Sequence, residues 1–313
     1  MLLVWSRSFD NMWDELIVLW NIKLLQNQWK EIFVVSQNPD NLRDFISQFV
    51  DVSKITFIKE LPWWIRSFFR AIKNWEYKNL KYFLGIDTII LWWWEIFTEE
   101  MKSSYYYRFN SIWPAFFFRK NLIIMWWVQV PKKWFNRLLF KYTTHYTKAI
   151  LCRDFEEIEP LSEFWAKNVS FFMDTSYFAI DDWKKYKHKS DEKYIVINLT
   201  TRGLNFMDDL IKVCKDYLSR WYKVYFVPVC SGKGDGDAYL YDKMQNILKS
   251  DKFEMLYWRD DFEKFLNVLW WAEKVFSVRL HLFLISEFIG LDTTVYPYQK
   301  KIIKMQKVID KVL

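Results

Sequence analysis

Short runs of apolar, largely β-branched residues alternate with amphipathic stretches along the whole chain. In the first part the runs are Leu2 to Val4, Glu31 to Ser36, Lys54 to Phe57, Asp87 to Leu91, Asn121 to Val130, Lys148 to Cys152 and Asn168 to Met173, read as strands with helical patterns between most of them. The Lys-rich stretch DDWKKYKHKSDEK, Asp181 to Lys193, interrupts the alternation. It restarts with Tyr194 to Leu199, Lys223 to Val229, Phe253 to Tyr257, Lys274 to Val278 and Thr293 to Tyr296. Two such series predict an α/β chain of two doubly wound Rossmann-like domains, residues 1–180 and 194–313, joined by a linker at 181–193. Ligands of that architecture bind beyond the carboxyl ends of the strands, so the residues that follow each strand are the candidates for chemistry.

Composition alters this picture at one point. The 313 residues include 20 Trp and only 6 Gly, where average usage of about 7% would give roughly 22 Gly. Three times a helical pattern ends, a Trp appears and a strand begins shortly after, at Trp29, Trp165 and Trp221. The slot just past a helix end favours Gly, because the chain turns there through a left-handed backbone conformation. In ISEFIGLDTTVYPY the same layout carries a written Gly, Gly290. The placement predicts that many written Trp stand where the fold calls for Gly, as a gene with UGA codons read as glycine would produce. The plain alternative is that they are core or surface aromatics.

Charge and cysteine content exclude several classes of function. Lys and Arg exceed Asp and Glu by 45 to 38, a net charge of +7 that suits anionic substrates or an anionic membrane surface but lacks the concentrated patch of a nucleic-acid binder. Cys152, Cys214 and Cys230 are odd in number and show no metal-ligand spacing, so neither a disulfide framework nor a zinc site is expected. The start MLLVWSRSFDNMWDEL has no signal-peptide pattern. Leu122 to Val130, among the longest apolar runs, is about half the roughly 20 residues needed to span a bilayer, which reads as a soluble, cytosolic protein.

Four segments carry candidate chemistry. The first strand runs into Trp5, SRSFDNM, Trp13 and Asp14; with Gly at both Trp positions this becomes a glycine-punctuated loop before a helix, where backbone amides can approach an anion. The strand DTIIL ends in Trp92, Trp93 and Trp94, followed by Glu95, and three glycines there would open a floor for a ligand. At Cys152, Arg153 and Asp154 a strand ends on an arginine suited to carboxylate or phosphate, with Asp154 equally placed to cap the next helix. In VFSVRLHLFLISEFIG a strand gives way to Arg279, Leu280 and His281, an anion clamp and a titratable ring at a strand-to-helix junction. His145 and His188 sit in polar contexts and read as surface residues.

With Trp read as Gly, the GSRSFDNMGDE, ILGGGEIFTEE, CRD and VRLHLFLISEFIGL…YPYQKK segments resemble the polysaccharide pyruvyl transferase family in order and approximate spacing. The resemblance spans nearly the whole chain, and the GGG and RLH segments are its most specific parts. It implies a GT-B-like fold and transfer of the enolpyruvyl unit of phosphoenolpyruvate onto a sugar of a cell-envelope glycan, closing a pyruvyl ketal, with phosphoenolpyruvate as donor substrate and no cofactor expected. It implies that Arg153, Arg279, His281 and the lysine of a Y-x-x-K element, Lys301 after Tyr298 with Lys300 beside it, hold phosphoenolpyruvate. His281 is the expected general acid, since its unperturbed pKa lies nearest operating pH, with Asp14 or Glu95 as base. A GT-B-type glycosyltransferase using a nucleotide sugar would share the architecture and use Arg279 and His281 against a diphosphate. A non-catalytic carbohydrate binder stacking exposed Trp on sugar rings is a third reading. The basic, amphipathic C-terminal stretch KKIIKMQKVIDKVL fits either a docking helix of the second domain or a contact with the inner face of an anionic membrane bearing lipid-linked acceptors.

Overall fold

The structure, a computed structural model, describes residues 2–5, 11–26, 28, 31–59, 80–92, 119–125, 128, 130–164, 166–179, 183–187, 191–230 and 236–312. The chain forms two compact units, Met1–Ser8 with Ile17–Asp174, and Phe9–Leu16 with Thr175–Leu313. Each of the twelve expected apolar runs overlaps a strand, and among the described residues every pairing between these strands is parallel.

In the first unit β1 (Leu2–Trp5), β2 (Ile32–Ser36), β3 (Ile55–Lys59), β4 (Thr88–Trp92), β5 (Asn121–Met125), β6 (Thr147–Cys152) and β7 (Val169–Phe171) form a sheet of order β3-β2-β1-β4-β5-β6-β7. The central strands are the most apolar because both their faces are covered: IFVVS of β2 and TIILW of β4 are buried at every position. The described helices are α1 (Met12–Gln26), whose residues up to Leu16 belong to the second unit, α2 (Pro39–Ile46), α3 (Leu80–Gly85), α4 (Trp134–Tyr146) and α5 (Ile158–Glu163). Helix α2 starts where its sequence says it should, with the Asn38 side chain accepting from the Asn41 amide and Pro39 in the first turn. Phe33, Val35, Ile89, Leu91, Ile124 and Phe140 belong to the core of this unit.

The second unit has β8 (Tyr194–Ile197), β9 (Lys223–Phe226), β10 (Phe253–Met255), β11 (Lys274–Ser277) and β12 (Thr293–Val295) in the order β10-β9-β8-β11-β12. Around it lie α6 (Met207–Ser219), α7 (Ala238–Leu248), α8 (Phe262–Trp271), α9 (Leu280–Phe288) and α10 (Lys300–Val312). Helix α9 is buried at every position except Glu287, as expected of a segment apolar all round. Helix α10 turns Ile302, Met305, Val308 and Ile309 inward, so the apolar face of the C-terminal stretch is spent on packing, the docking role rather than the membrane one. No helix among the described residues is long and apolar enough to cross a membrane.

The strand orders place one switch point in each sheet, between β1 and β4 and between β8 and β11, where successive connections leave in opposite directions. Around the second of these the chain packs closely. A Cβ on Gly203 would lie 2.4 Å from the Val278 Cγ1 just beyond β11, so only glycine lets the 201–206 turn come this near.

Candidate functional site

Past the carboxyl end of β8, Asn198 reaches across the switch point to the chain leaving β11. Its Oδ1 accepts from the amides of Val278 at 2.7 Å and Arg279 at 3.2 Å. The Ser277 hydroxyl completes the junction by donating to the Arg279 carbonyl at 2.8 Å. The first residues of α9 are therefore held by a side chain from the neighbouring strand. Asn198 Nδ2 and Thr200 Oγ1, both buried, make no hydrogen bond among the described residues, and a buried polar group of that kind is satisfied by a bound polar molecule or water.

Arg279, at the N-cap position of α9, points its guanidinium at Asp237. Nε donates to Oδ2 at 3.1 Å and Nη2 to Oδ1 at 2.6 Å, a two-bond clamp with the arginine side chain 10% exposed and the aspartate fully buried. Asp237 Oδ2 also accepts from the Val229 and Cys230 amides at the exit of β9. The carboxylate thus ties the ends of β9 and β11 together and neutralises the arginine where an unpaired charge would be costly. His281 follows within the first turn of α9 and is buried.

Residues 11–16 join the same edge. The Met12 amide donates to the Val229 carbonyl at 3.0 Å, and Asn11 bridges to Cys230. Asp14 is thereby placed in the second unit, buried in the first turn of α1, and its neighbour Glu15 is fixed by Arg259 Nη1 at 3.0 Å. Lys300 and Lys301 open α10, a few residues beyond β12, which pairs with β11; Lys300 is exposed and Lys301 half-buried. Asp14, Arg279, His281, Lys300 and Lys301 therefore all belong to one unit.

Arg153 does not. It follows β6 in the first unit and is 2% exposed, its Nη1 donating to Asp174 Oδ2 at 2.8 Å. Asp154 caps the short turn after β6 by accepting from the Glu156 amide. Cys152 beside them is buried, which, with the charges of Glu157 and Asp154, pushes its thiol up to about 12. Burial likewise raises Cys214 to about 12, so neither is a ready nucleophile.

Trp5 ends β1 and Trp13 lies in the first turn of α1. Trp92 closes β4 and is buried at 1% exposure. Trp93, Trp94, Glu95, Trp29, Trp165 and His188 lie outside the described residues; His145 is exposed. Among the described residues no cluster of three or more His, Cys, Asp or Glu is placed to hold a metal ion.

Sequence reasoning passed over Asn198 and Asp237. Asp237 had a signal: it closes SGKGDGD, which holds three of the six written glycines and lies between β9 and α7. A glycine-rich segment between a strand and a helix is a sequence signal for phosphate approach, although residues 231–235 lie outside the described residues.

No protein-family model matches the chain, and no curated protein matches it in sequence. Solved structures resemble its fold. A UDP-GlcNAc 2-epimerase from Neisseria meningitidis bound to UDP-GlcNAc superposes with TM-score 0.60 at 8% identity, over 99% of this chain and 89% of that one. Anabaena HepE in complex with UDP-glucose gives 0.57 at 9% identity, over 94% and 79%. A glycosyltransferase from Rickettsia africae gives 0.56 at 10% identity, over 94% and 78%. The chain has the GT-B-like α/β fold of two Rossmann-like units.

Proposed function

We propose that the chain is a GT-B-type carbohydrate-active enzyme that holds a nucleotide sugar by its diphosphate at the carboxyl edge of the second sheet. The observation that carries this reading is the junction built by Asn198 and Asp237, which fixes Arg279 and the N-terminus of α9 at the switch point of that sheet. A helix N-terminus favours phosphate oxygens, and Arg279, its charge balanced by Asp237, is held beside it. The neighbours crystallised with UDP-GlcNAc and UDP-glucose support the donor class.

A second reading keeps the architecture and changes the donor to phosphoenolpyruvate. It is favoured by the Arg279-Leu280-His281 order at the β11 to α9 junction, the segment that resembles pyruvyl transferases most specifically. In this reading His281 delivers a proton to the methylene carbon, and a sugar hydroxyl attacks the central carbon while Asp14 or Glu95 takes its proton. The C–O bond to phosphate then breaks with its electron pair leaving on the phosphate, and a second hydroxyl closes the ketal as its proton passes to the departing phosphate.

The purified chain is incubated with UDP-, GDP- and dTDP-sugars and separately with phosphoenolpyruvate, each with acceptor glycans. Nucleotide release supports the first reading. Acceptor-dependent phosphate release from phosphoenolpyruvate alone supports the second and overturns the first, and turnover of neither class overturns both.

A further inference from the structure

Helix α4 carries a face that neither reading uses. Its inner side is Asn136, Phe140, Thr143 and Thr144. On the other side Trp134, Leu138, Tyr142 and Tyr146 recur every four residues at 77%, 57%, 45% and 50% exposure, with Phe135 alongside at 39%. Arg137, Lys141 and His145 form the adjoining row, Lys132 and Lys133 precede the helix and Lys148 follows it, all exposed. From residue 132 to 148 there is no Asp or Glu, and every exposed side chain is either apolar or aromatic or else basic.

We propose that this face of α4 docks on an anionic lipid bilayer. Leu138 and the aromatic rings suit the boundary between acyl chains and headgroups, and the row of cations suits lipid phosphates beside it. Each juxtamembrane cation adds attraction to an anionic leaflet that salt screens. A second copy of the chain fits the face badly, since a two-fold contact sets the same cations against each other with no carboxylate between them. Helix α10, basic as well, turns Ile302, Met305, Val308 and Ile309 inside, leaves only Ile303 and the terminal Val312 exposed among its large apolar side chains, and provides the contrast. The inference stands without Trp134.

The full chain is floated with vesicles of phosphatidylglycerol and phosphatidylcholine, and with phosphatidylcholine alone. Binding to the anionic vesicles, weakened by salt and at least tenfold lower for Leu138→Glu/Tyr142→Glu, is expected. Lys307→Glu on α10 leaves it within twofold. Melting temperatures close to the parent's certify that the variants fold. The proposal is overturned by failure to float with anionic vesicles, by unchanged flotation of the double variant, or by self-association that the double variant abolishes in a chain that binds no vesicles.

A second observation, independent of the first, concerns Trp221. Past α6 the Trp221 amide donates to the Leu218 carbonyl and the Tyr222 amide to that of Tyr217. Past α9 the Gly290 amide donates to Glu287 and the Leu291 amide to Ser286. These are two copies of one helix-ending motif, whose next-to-last residue is left-handed. Gly290 adopts φ 76° and Trp221 adopts φ 66°, the latter 81% exposed with Lys252 over its ring as an exposed contact. A left-handed backbone is sterically poor for a bulky side chain, and Trp221 buries almost nothing in return.

We infer that residue 221 of the native protein is glycine, written as Trp because its codon is read as glycine in the source and as tryptophan or stop elsewhere. The codon at this position and the intact mass of protein from its native host test this directly. A UGA codon with a mass below that of the written chain is expected; UGG with the full written mass overturns it. Trp221→Gly in the written chain should raise the melting temperature by a few degrees, and a drop would show that the ring, not the turn, is what the fold needs.

Discussion

Both sheets end in an arginine paired with a buried aspartate, yet the two pairs sit at different places in equivalent architectures. Arg279 and Asp237 join the ends of β11 and β9, which flank β8 on either side at the switch point, through two side-chain bonds and two backbone amides. Arg153 and Asp174 lie at β6 and just beyond β7, at the far edge of the other sheet, through a 2.8 Å bond in near-complete burial. In a doubly wound sheet the crevice opens at the switch point, so position argues for a ligand role for Arg279 and for a stabilising role for Arg153. The same two residue types at the same kind of strand end thus differ in where their strands stand in the order.

Removing one partner at a time does not separate them, because each single change strands a buried charge. Asp237→Ala and Asp174→Ala should each cost about 3–5 kcal/mol, a fall in melting temperature on the order of 10 °C. Replacing both partners by apolar residues separates them. Arg153→Leu/Asp174→Leu should recover most of the lost stability and keep turnover of whichever donor the chain accepts. Arg279→Leu/Asp237→Leu should recover less, since the Val229 and Cys230 amides lose their acceptor, and should lose turnover at least a hundredfold. Thermal melts and the donor assay read both outcomes; loss of turnover in the first double variant alone would reverse the comparison.

This contrast was half legible in the sequence. Strands buried on both faces appear as apolar runs, so Ile32–Ser36 and Tyr194–Ile197 could be read directly, and with them the two-unit α/β plan. Arg153, Arg279 and His281 stood out because they follow such runs. Their partners did not. Asp174 lies 21 residues from Arg153 and Asp237 lies 42 from Arg279, and which of several carboxylates closes a pair is decided by strand order, which local patterns do not encode. Asn198 reads as an ordinary strand-end residue until β11 is set beside β8. The C-terminal stretch shows the limit from the other direction: its basic amphipathic pattern suits a membrane or a core equally, and packing of Ile302 and Met305 decides for the core.

A smaller effect sharpens the second unit's side of the comparison. His281 lies in the first turn of α9 at the switch point, buried, two residues from the clamped arginine. If it transfers a proton, His281→Gln should lower turnover by roughly 10²–10⁴ while shifting the melting temperature little, because the amide keeps polar atoms in the same space. Turnover within tenfold of the parent would confine His281 to packing and leave Arg279 as the residue that gives this edge its function.

The smallest effect probes how closed the β6 edge is. Cys152 immediately precedes Arg153, and burial first, then the charges of Glu157 and Asp154, raise its thiol from 9.0 to about 12. Only the thiolate reacts, so at pH 8 about one part in ten thousand is reactive, against roughly one in ten for a thiol at the unshifted value. Reactivity rises with pH as the thiolate forms, and protonation alone slows Cys152 about a thousandfold below an exposed cysteine. A native-state reaction with a disulfide reagent at pH 8, mapped by peptide mass, should therefore leave Cys152 unmodified until denaturant is added. Rapid labelling of Cys152 would mean that ligands can reach the end of β6, and Arg153 would then have to be counted with Arg279 among the groups that meet a substrate.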